Sequence, residues 1–234
     1  MSSILINLQA VRQQIVHAAQ LADRSFTEIQ LLAVSKNFDA EAVLDAAKAG
    51  QSAFGENYVQ EALDKIAKLH SIAPELVLEW HFIGPIQSNK TRQIAQHFDW
   101  VHSVDRLKIA ERLSEQRPAG MAPLHVCLQI NISEEHTKSG IAAEQTVQMA
   151  RQIAALPNLR LRGLMAIPQP TANVELQRKS FQQVRLLKEQ LNAQGFDLDT
   201  LSMGMSADLE AAILEGSTMV RIGTAIFGKR NYAQ

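Results

Sequence analysis

A lysine and an arginine at the ends of apolar runs are the residues of this 234-residue chain best placed to do chemistry. Leu31-Leu32-Ala33-Val34-Ser35-Lys36 carries four apolar residues into a serine and then the lysine. A run of that length reads as a strand buried on both faces. The helical spacing of Ala42, Val43, Ala46, Ala47 and Ala49 puts Lys36 at the strand's C-terminal end. A lysine held there in partial desolvation drops its pKa and serves as an amine nucleophile. Taken alone, the commoner outcome for such a residue is an ordinary surface lysine. Arg221 lies inside the apolar run Met219-Val220-Arg221-Ile222-Gly223 and by strand period shares a face with Gly223. A buried arginine needs a partner, either a core carboxylate or an acceptor on a ligand.

Two short stretches have the make-up of a phosphate site. Gly204-Met205-Ser206 and Gly223-Thr224 combine glycine, which lets backbone come close, with hydroxyls that donate. The plainer alternatives are Ser206 as a helix N-cap and Gly223 as a turn residue, and Asp208 nearby would repel an anion. Gly84-Pro85-Ile86-Gln87-Ser88-Asn89-Lys90-Thr91 imitates a nucleotide-binding P-loop, with Asp105 as its would-be metal aspartate. Asn89 stands where that loop needs its second glycine and Pro85 removes a cradle N–H, so nucleotide hydrolysis is not expected. His81 between Trp80 and Phe82 either lines a pocket or sits in the core with a backbone partner. Cys127, Met203, Met205 and Met219 read as packing residues, and the scattered histidines show no metal-ligand spacing.

The elements that must position these residues alternate with regularity. Ile4, Leu8, Val11, Ile15, Ala18 and Ala22 predict an N-terminal amphipathic helix. Strands are expected at the run ending in Lys36, at Ala53–Gly55 (very short), Trp80–Gly84, Trp100–Val104, His125–Asn131, Leu161–Ile167, Thr200–Met203 and Met219–Gly223. Helices are expected between them, among them Tyr58–Leu69, Ser88–Phe98, Ala142–Ala155 and Asp208–Leu214, with a polar loop over Ser133–Gly140. Eight strand–helix units at roughly 27-residue spacing point to a (β/α)8 barrel. The expectation is an α/β TIM barrel over residues 1–234 as one domain, with the extra helix on its bottom or side. Loss of the short second strand would favour an open sheet.

In such a barrel the C-terminal strand ends meet at one mouth, and here they bring Lys36, Asn57, Gly84-Pro85, Asp105, Asn131, Met165-Ala166, Ser206 and Gly223-Thr224. Barrel phosphate sites are often built after strands seven and eight. A lysine, a phosphate cradle and an arginine around one mouth suggest pyridoxal 5′-phosphate (PLP), with Lys36 as the amine and Arg221 at the ring nitrogen. Composition agrees with a soluble globular protein: 46% hydrophobic, 20% charged, net charge −1 and one cysteine. Those values exclude an electrostatic footprint for nucleic acid and an intrachain disulfide, and fit a reducing cytoplasm. No signal peptide and no membrane-spanning run is expected.

The segments LLAVSK, FGENYVQEALDKI, EWHFIGPIQSNKTR, QINISEEHTKSGI, LRGLMAIP, LSMGMSADLEAAI and GSTMVRIGTAIFG resemble the pyridoxal phosphate homeostasis protein family, relatives of the alanine racemase barrel domain. The resemblance runs through essentially the whole chain. It implies an alanine racemase N-terminal-domain-like barrel, PLP held as a Schiff base on Lys36, and phosphate around Ser206, Gly223 and Thr224. It further implies Arg221 at the pyridine nitrogen, Asn57 at the pocket and a basic role in PLP handling for Lys138. The chain departs from the pattern of many members at Asn37-Phe38-Asp39, where those have a threonine, a basic residue and a proline.

Enzyme and carrier remain to be separated. An arginine at the ring nitrogen weakens the electron sink a racemase needs, and the opposing tyrosine of alanine racemases has no evident counterpart. Tyr58 is expected to pack on its helix and Tyr232 lies in the tail. The expectation is a cytoplasmic, monomeric PLP carrier that buffers the cofactor or delivers it to apo PLP-dependent enzymes, with no catalytic residues and no metal. The alternative is a PLP-dependent amino-acid racemase of weak activity.

Overall fold

Each apolar run closes onto the next because both its faces have something to cover. A computed structural model describes residues 3–132 and 139–228. Eight parallel strands, β1 (Gln30–Val34), β2 (Ala53–Glu56), β3 (Glu79–Phe82), β4 (Trp100–Val104), β5 (Leu124–Ile130), β6 (Leu159–Ala166), β7 (Thr200–Ser202) and β8 (Met219–Ile222), pair in sequence order. β8 returns to pair with β1, matching Leu32 with Arg221 and Ala33 with Ile222, so the sheet is a closed barrel. The short β2 forms and even gains Glu56, which rules out the open sheet.

The helices are α1 (Ser3–Leu21), α2 (Ala40–Lys48), α3 (Val59–Ile72), α4 (Thr91–His97), α5 (Leu107–Gln116), α6 (Thr146–Ala154), α7 (Val174–Ala193), α8 (Leu209–Leu214) and α9 (Thr224–Phe227). Strand period two separates two apolar layers. Ala33, Phe54, Phe82, Val101, Val126, Leu164, Leu201 and Val220 belong to the large core shared with the helices. Leu32, Ala53 and Met219, and separately Trp100, Cys127 and Met165, pack inside the ring. α1 lies on the side of the barrel, against α2, α8 and α9. It is tied there by Asn7 Nδ2 donating to Ile226 O at 2.9 Å and by Arg12 donating to Ala49 O at 3.1 Å and Gly50 O at 2.9 Å.

Several ends differ from the sequence expectation. The third strand stops at Phe82, and the helix after it opens with a 3-10 turn over Ser88–Lys90. The helix expected from Ala142 also starts as a 3-10 turn, Ala143–Gln145, and becomes regular at Thr146. Most of the expected Ser133–Gly140 loop, including Lys138, lies outside the described residues. Among the described residues no helix is long and apolar enough to cross a membrane.

Candidate functional site at the barrel mouth

β1 and β2 pair Val34 with Gly55, so continuing the register sets Lys36 beside Asn57 at the C-terminal rim. Lys36 is half-buried there. The chain turns immediately after it: Asn37 takes a left-handed φ of 64°, which asparagine tolerates better than most residues. Asp39 then caps α2, its Oδ1 accepting from Ala42 N at 2.9 Å. Phe38 stacks on Phe227 with ring centroids 5.0 Å apart.

Beneath this turn lies an ionic cluster that sequence reasoning missed. Lys65 Nζ donates to Ser35 O at 2.8 Å, to Glu61 Oε1 at 3.2 Å and to Glu56 Oε1, which uses all three ammonium protons. Ser35 Oγ donates to Glu56 Oε1 at 2.6 Å, and Asn37 N donates to Glu61 Oε1 at 2.6 Å. Both neighbours of Lys36 are therefore tied to α3. Burial pushes the Glu56 carboxyl up, against the opposing pull of Lys65. A signal was present: Lys65 falls on the same helix face as Val59, Ala62 and Leu69, where a lysine has no reason to be unless it is paired.

Asn57 Oδ1 is a buried acceptor with no donor. Gly84 presses against the same residue, since a Cβ on it would stand 2.3 Å from Asn57 O. The stretch that imitates a P-loop thus spends its glycine on close backbone packing. Its Thr91 is buried, with Oγ1 donating to Ser88 O at 2.9 Å and engaging Gln116 Oε1 at 2.8 Å. Asp105 faces Arg106 at 3.4 Å. These positions serve packing and ion pairing rather than a nucleotide cradle.

The loops after β7 and β8 reach the rim from the other side. Gly204 has φ +97° and a Cβ there would lie 2.6 Å from Ala212 Cβ, so only glycine fits. Its carbonyl accepts from Arg221 N at 2.9 Å. Asp208, not Ser206, occupies the N-cap position of α8, and its carboxylate turns inward to accept from Met205 N at 2.6 Å. Ser206 and Thr224 are exposed and Gly223 is half-buried at the head of α9. Tyr58 does not pack on α3 as expected; it sits at the helix's N-cap position, 55% exposed.

Arg221 is buried, and its acceptors are all neutral oxygens. NH1 donates to Ser202 O and to Ser202 Oγ at 2.7 Å, and NH2 donates to Ala166 O at 2.9 Å. Desolvation pulls its pKa down to about 10, with Asp208 and Cys127 acting in the other direction. His81, left between a pocket position and a core position with a backbone partner, is buried, and its partners are side chains: Glu79 Oε2 at 3.0 Å and His102 Nε2 at 2.9 Å. Burial pushes the Cys127 thiol up to about 12, which fits a packing role.

Comparison with known proteins places this geometry among relatives. The family described as "Alanine racemase, N-terminal domain" matches residues 6–231. A pyridoxal phosphate homeostasis protein of Pseudomonas aeruginosa is 60% identical over 99% of this chain and 98% of its own length. That of Escherichia coli is 53% identical over the full length of both. The solved structure of PipY from Synechococcus elongatus with PLP bound superposes with a TM-score of 0.84 at 36% identity, covering 96% of this chain and all of that one. The chain belongs to the alanine racemase N-terminal domain family and, within it, to the pyridoxal phosphate homeostasis proteins.

Proposed function

We propose that this chain is a PLP-binding protein of PLP homeostasis, a single domain over residues 1–234 that holds the cofactor through Lys36 and releases it to apo PLP-dependent enzymes. The observation that carries the reading is the meeting of Lys36 and the β7 and β8 loops at one rim, with Arg221 two residues below Gly223. PLP supplies an aldehyde that a lysine amine captures with loss of one water. The residues present fit that group. Asn57 Oδ1 is a buried acceptor awaiting a donor, and Gly223 keeps the rim low, since a Cβ there would come within 3.1 Å of Val34 O. Ser206 and Thr224 offer exposed hydroxyls, and the backbone around Gly223 leads into α9.

Each residue then has a task. Lys36 is the covalent anchor, Ser206, Gly223 and Thr224 receive the phosphate, Asn57 orients the ring, and Arg221 faces the ring nitrogen. Arg221 is a hydrogen-bond donor, and facing the ring nitrogen with a donor leaves that nitrogen as an acceptor and disfavours racemase chemistry. The carrier is taken to be cytoplasmic and monomeric. Titration of the purified protein with PLP should produce a visible absorbance band that is absent in Lys36→Ala, and borohydride should trap the label on the peptide containing Lys36. Label on another lysine, or no band at all, defeats the reading; rapid racemisation of an amino acid defeats the carrier part of it.

A further inference from the structure

Glu79, His81, His102, Ser202 and Arg221 come from four strands and form one unbroken line of hydrogen bonds through the barrel interior. Ser202 Oγ lies 2.7 Å from His102 Nδ1, His102 Nε2 lies 2.9 Å from His81 Nδ1, and His81 Nε2 lies 3.0 Å from Glu79 Oε2. The Arg221 end is closed by the 2.7 Å bond from NH1 to Ser202 Oγ. The Glu79 end is a carboxylate at the start of β3, the barrel face opposite Lys36, where Gln30 Nε2 and Trp100 Nε1 each donate to it at 2.9 Å. Stacking on Trp100, with the two ring planes 8° apart, fixes the His81 ring.

The sense of every bond follows from the two ends. A guanidinium can only donate, so Ser202 Oγ accepts from it and, with both imidazoles neutral, has its own proton to give to His102 Nδ1. His102 must then carry its proton on Nε2 and give it to His81 Nδ1, which leaves His81 protonated on Nε2. Starting from the other end, a carboxylate can only accept, and it demands a proton on the same His81 Nε2. With both rings neutral, the carboxylate end imposes one direction and one tautomer on each imidazole, and the arginine end agrees with it. Asp208 acts on the buried Arg221 through space but makes no hydrogen bond to it, so the guanidinium's orientation depends on its neutral acceptors, and a line of aligned donors fixes those acceptors better than disordered dipoles would.

We propose that Glu79 is a remote positioning residue for Arg221, acting through the one-way relay Arg221 to Ser202 to His102 to His81 to Glu79. Asp208 acts on the same guanidinium only through space. The proposal rests on the PLP reading for what Arg221 faces, but not for the relay itself. Nitrogen-15 NMR of the PLP-free protein tests the relay directly. His81 and His102 should both be neutral Nε2–H tautomers, and either ring found on Nδ1 or charged at pH 7 overturns it. PLP titration by absorbance tests the positioning. Glu79→Gln and Ser202→Ala should each weaken PLP binding by about 5-fold or more, the usual scale of coupling between sites. Because both interrupt one line, the double variant should be no worse than the poorer single one. Unchanged binding in Glu79→Gln with an intact circular dichroism spectrum, or strictly additive losses, overturns the positioning. Should the wild-type protein bind no PLP, the functional reading fails while the tautomers still decide the relay.

Discussion

Behind Lys36 the barrel buries charge as charge, whereas behind Arg221 it buries a cation on a line of neutral groups. On the first side Lys65, Glu56 and Glu61 sit within hydrogen-bond range of one another and grip the backbone at Ser35 and Asn37. On the second side the guanidinium itself is gripped, by Ser202 and by the Ala166 carbonyl, and its hydrogen-bonded link to a carboxylate passes through two imidazoles, with Asp208 acting only through space. Under the proposed function the difference suits two tasks: a fixed turn on either side of the anchor lysine and a fixed head group on the arginine that faces the ring.

The largest test of that contrast is Lys65→Ala. Removing one member of a buried pair leaves the other uncompensated and costs about 3–5 kcal/mol. Urea denaturation should show that loss, and the double variant Lys65→Met with Glu56→Gln should recover most of it. A single variant within about 1 kcal/mol of wild type would mean the ion pair is not the clamp it resembles.

Acid should separate the two sides by sign. Burial holds the imidazoles of His81 and His102 below their ordinary value, with Arg221 and His81 adding to the effect at His102 and with Glu79 and Asp99 opposing it at His81. The folded state therefore refuses protons that the unfolded chain takes up below about pH 6.5, and stability falls as pH drops through that value. Each imidazole contributes a slope of up to about 1.4 kcal/mol per pH unit. Glu79, lowered to about 2 chiefly by its hydrogen bond from His81, adds stability that is present above pH 4.5 and is lost as pH falls toward about 2. Its side chain is 38% exposed, so solvent screening reduces that share. Glu56 runs the other way. Its folded pKa is raised, so its favourable contribution is full below the unfolded value of 4.5 and is lost as pH rises through the folded one. Glu56→Gln should therefore steepen the acid loss, and a flat stability curve between pH 7 and 5 would contradict neutral buried histidines.

Sequence reasoning reached one of these sides more easily than the other. Lys36 and the barrel were legible because each strand is a local apolar run followed by local helical spacing, and Arg221 because its strand period is local too. The Glu56 cluster was half legible: Glu61 and Lys65 are four apart on one helix, and Lys65 occupies an apolar-face position. The relay was not legible, because its members stand at 79, 81, 102, 202 and 221 and meet only once the barrel has closed. For the same reason the sequence left His81 between lining a pocket and sitting in the core with a backbone partner. For Ser206, expected at the phosphate site, the plainer alternative of a helix cap does not hold, because Asp208, two residues on, occupies that position and accepts from Met205 N.

On the relay side, Ser202→Ala removes the hydroxyl between Arg221 and His102. It leaves His102 Nδ1 as a buried acceptor without a donor, a loss of about 1–3 kcal/mol. Arg221 keeps its two carbonyl acceptors, so the variant should fold and show the loss as a lowered urea midpoint. An unchanged midpoint would mean that water or a rotated His102 replaces the hydroxyl.

The smallest effect belongs to the contact that joins the two sides. Phe38 follows the lysine turn and its ring lies 5.0 Å from that of Phe227 on α9, which begins at the β8 loop. Such a pair adds about 0.5–1.5 kcal/mol beyond the area it covers. Phe38→Ala should lower stability by an amount in that range. Because the stack bridges the Lys36 turn to the helix after β8, under the proposed function its loss should also speed PLP dissociation more than it slows association. Stopped-flow absorbance after mixing PLP-loaded protein with an excess of a competing amine reads the dissociation rate. An equal change in both rates would reduce Phe38 to simple packing, and would leave the ionic clamp and the relay as independent supports of the one mouth.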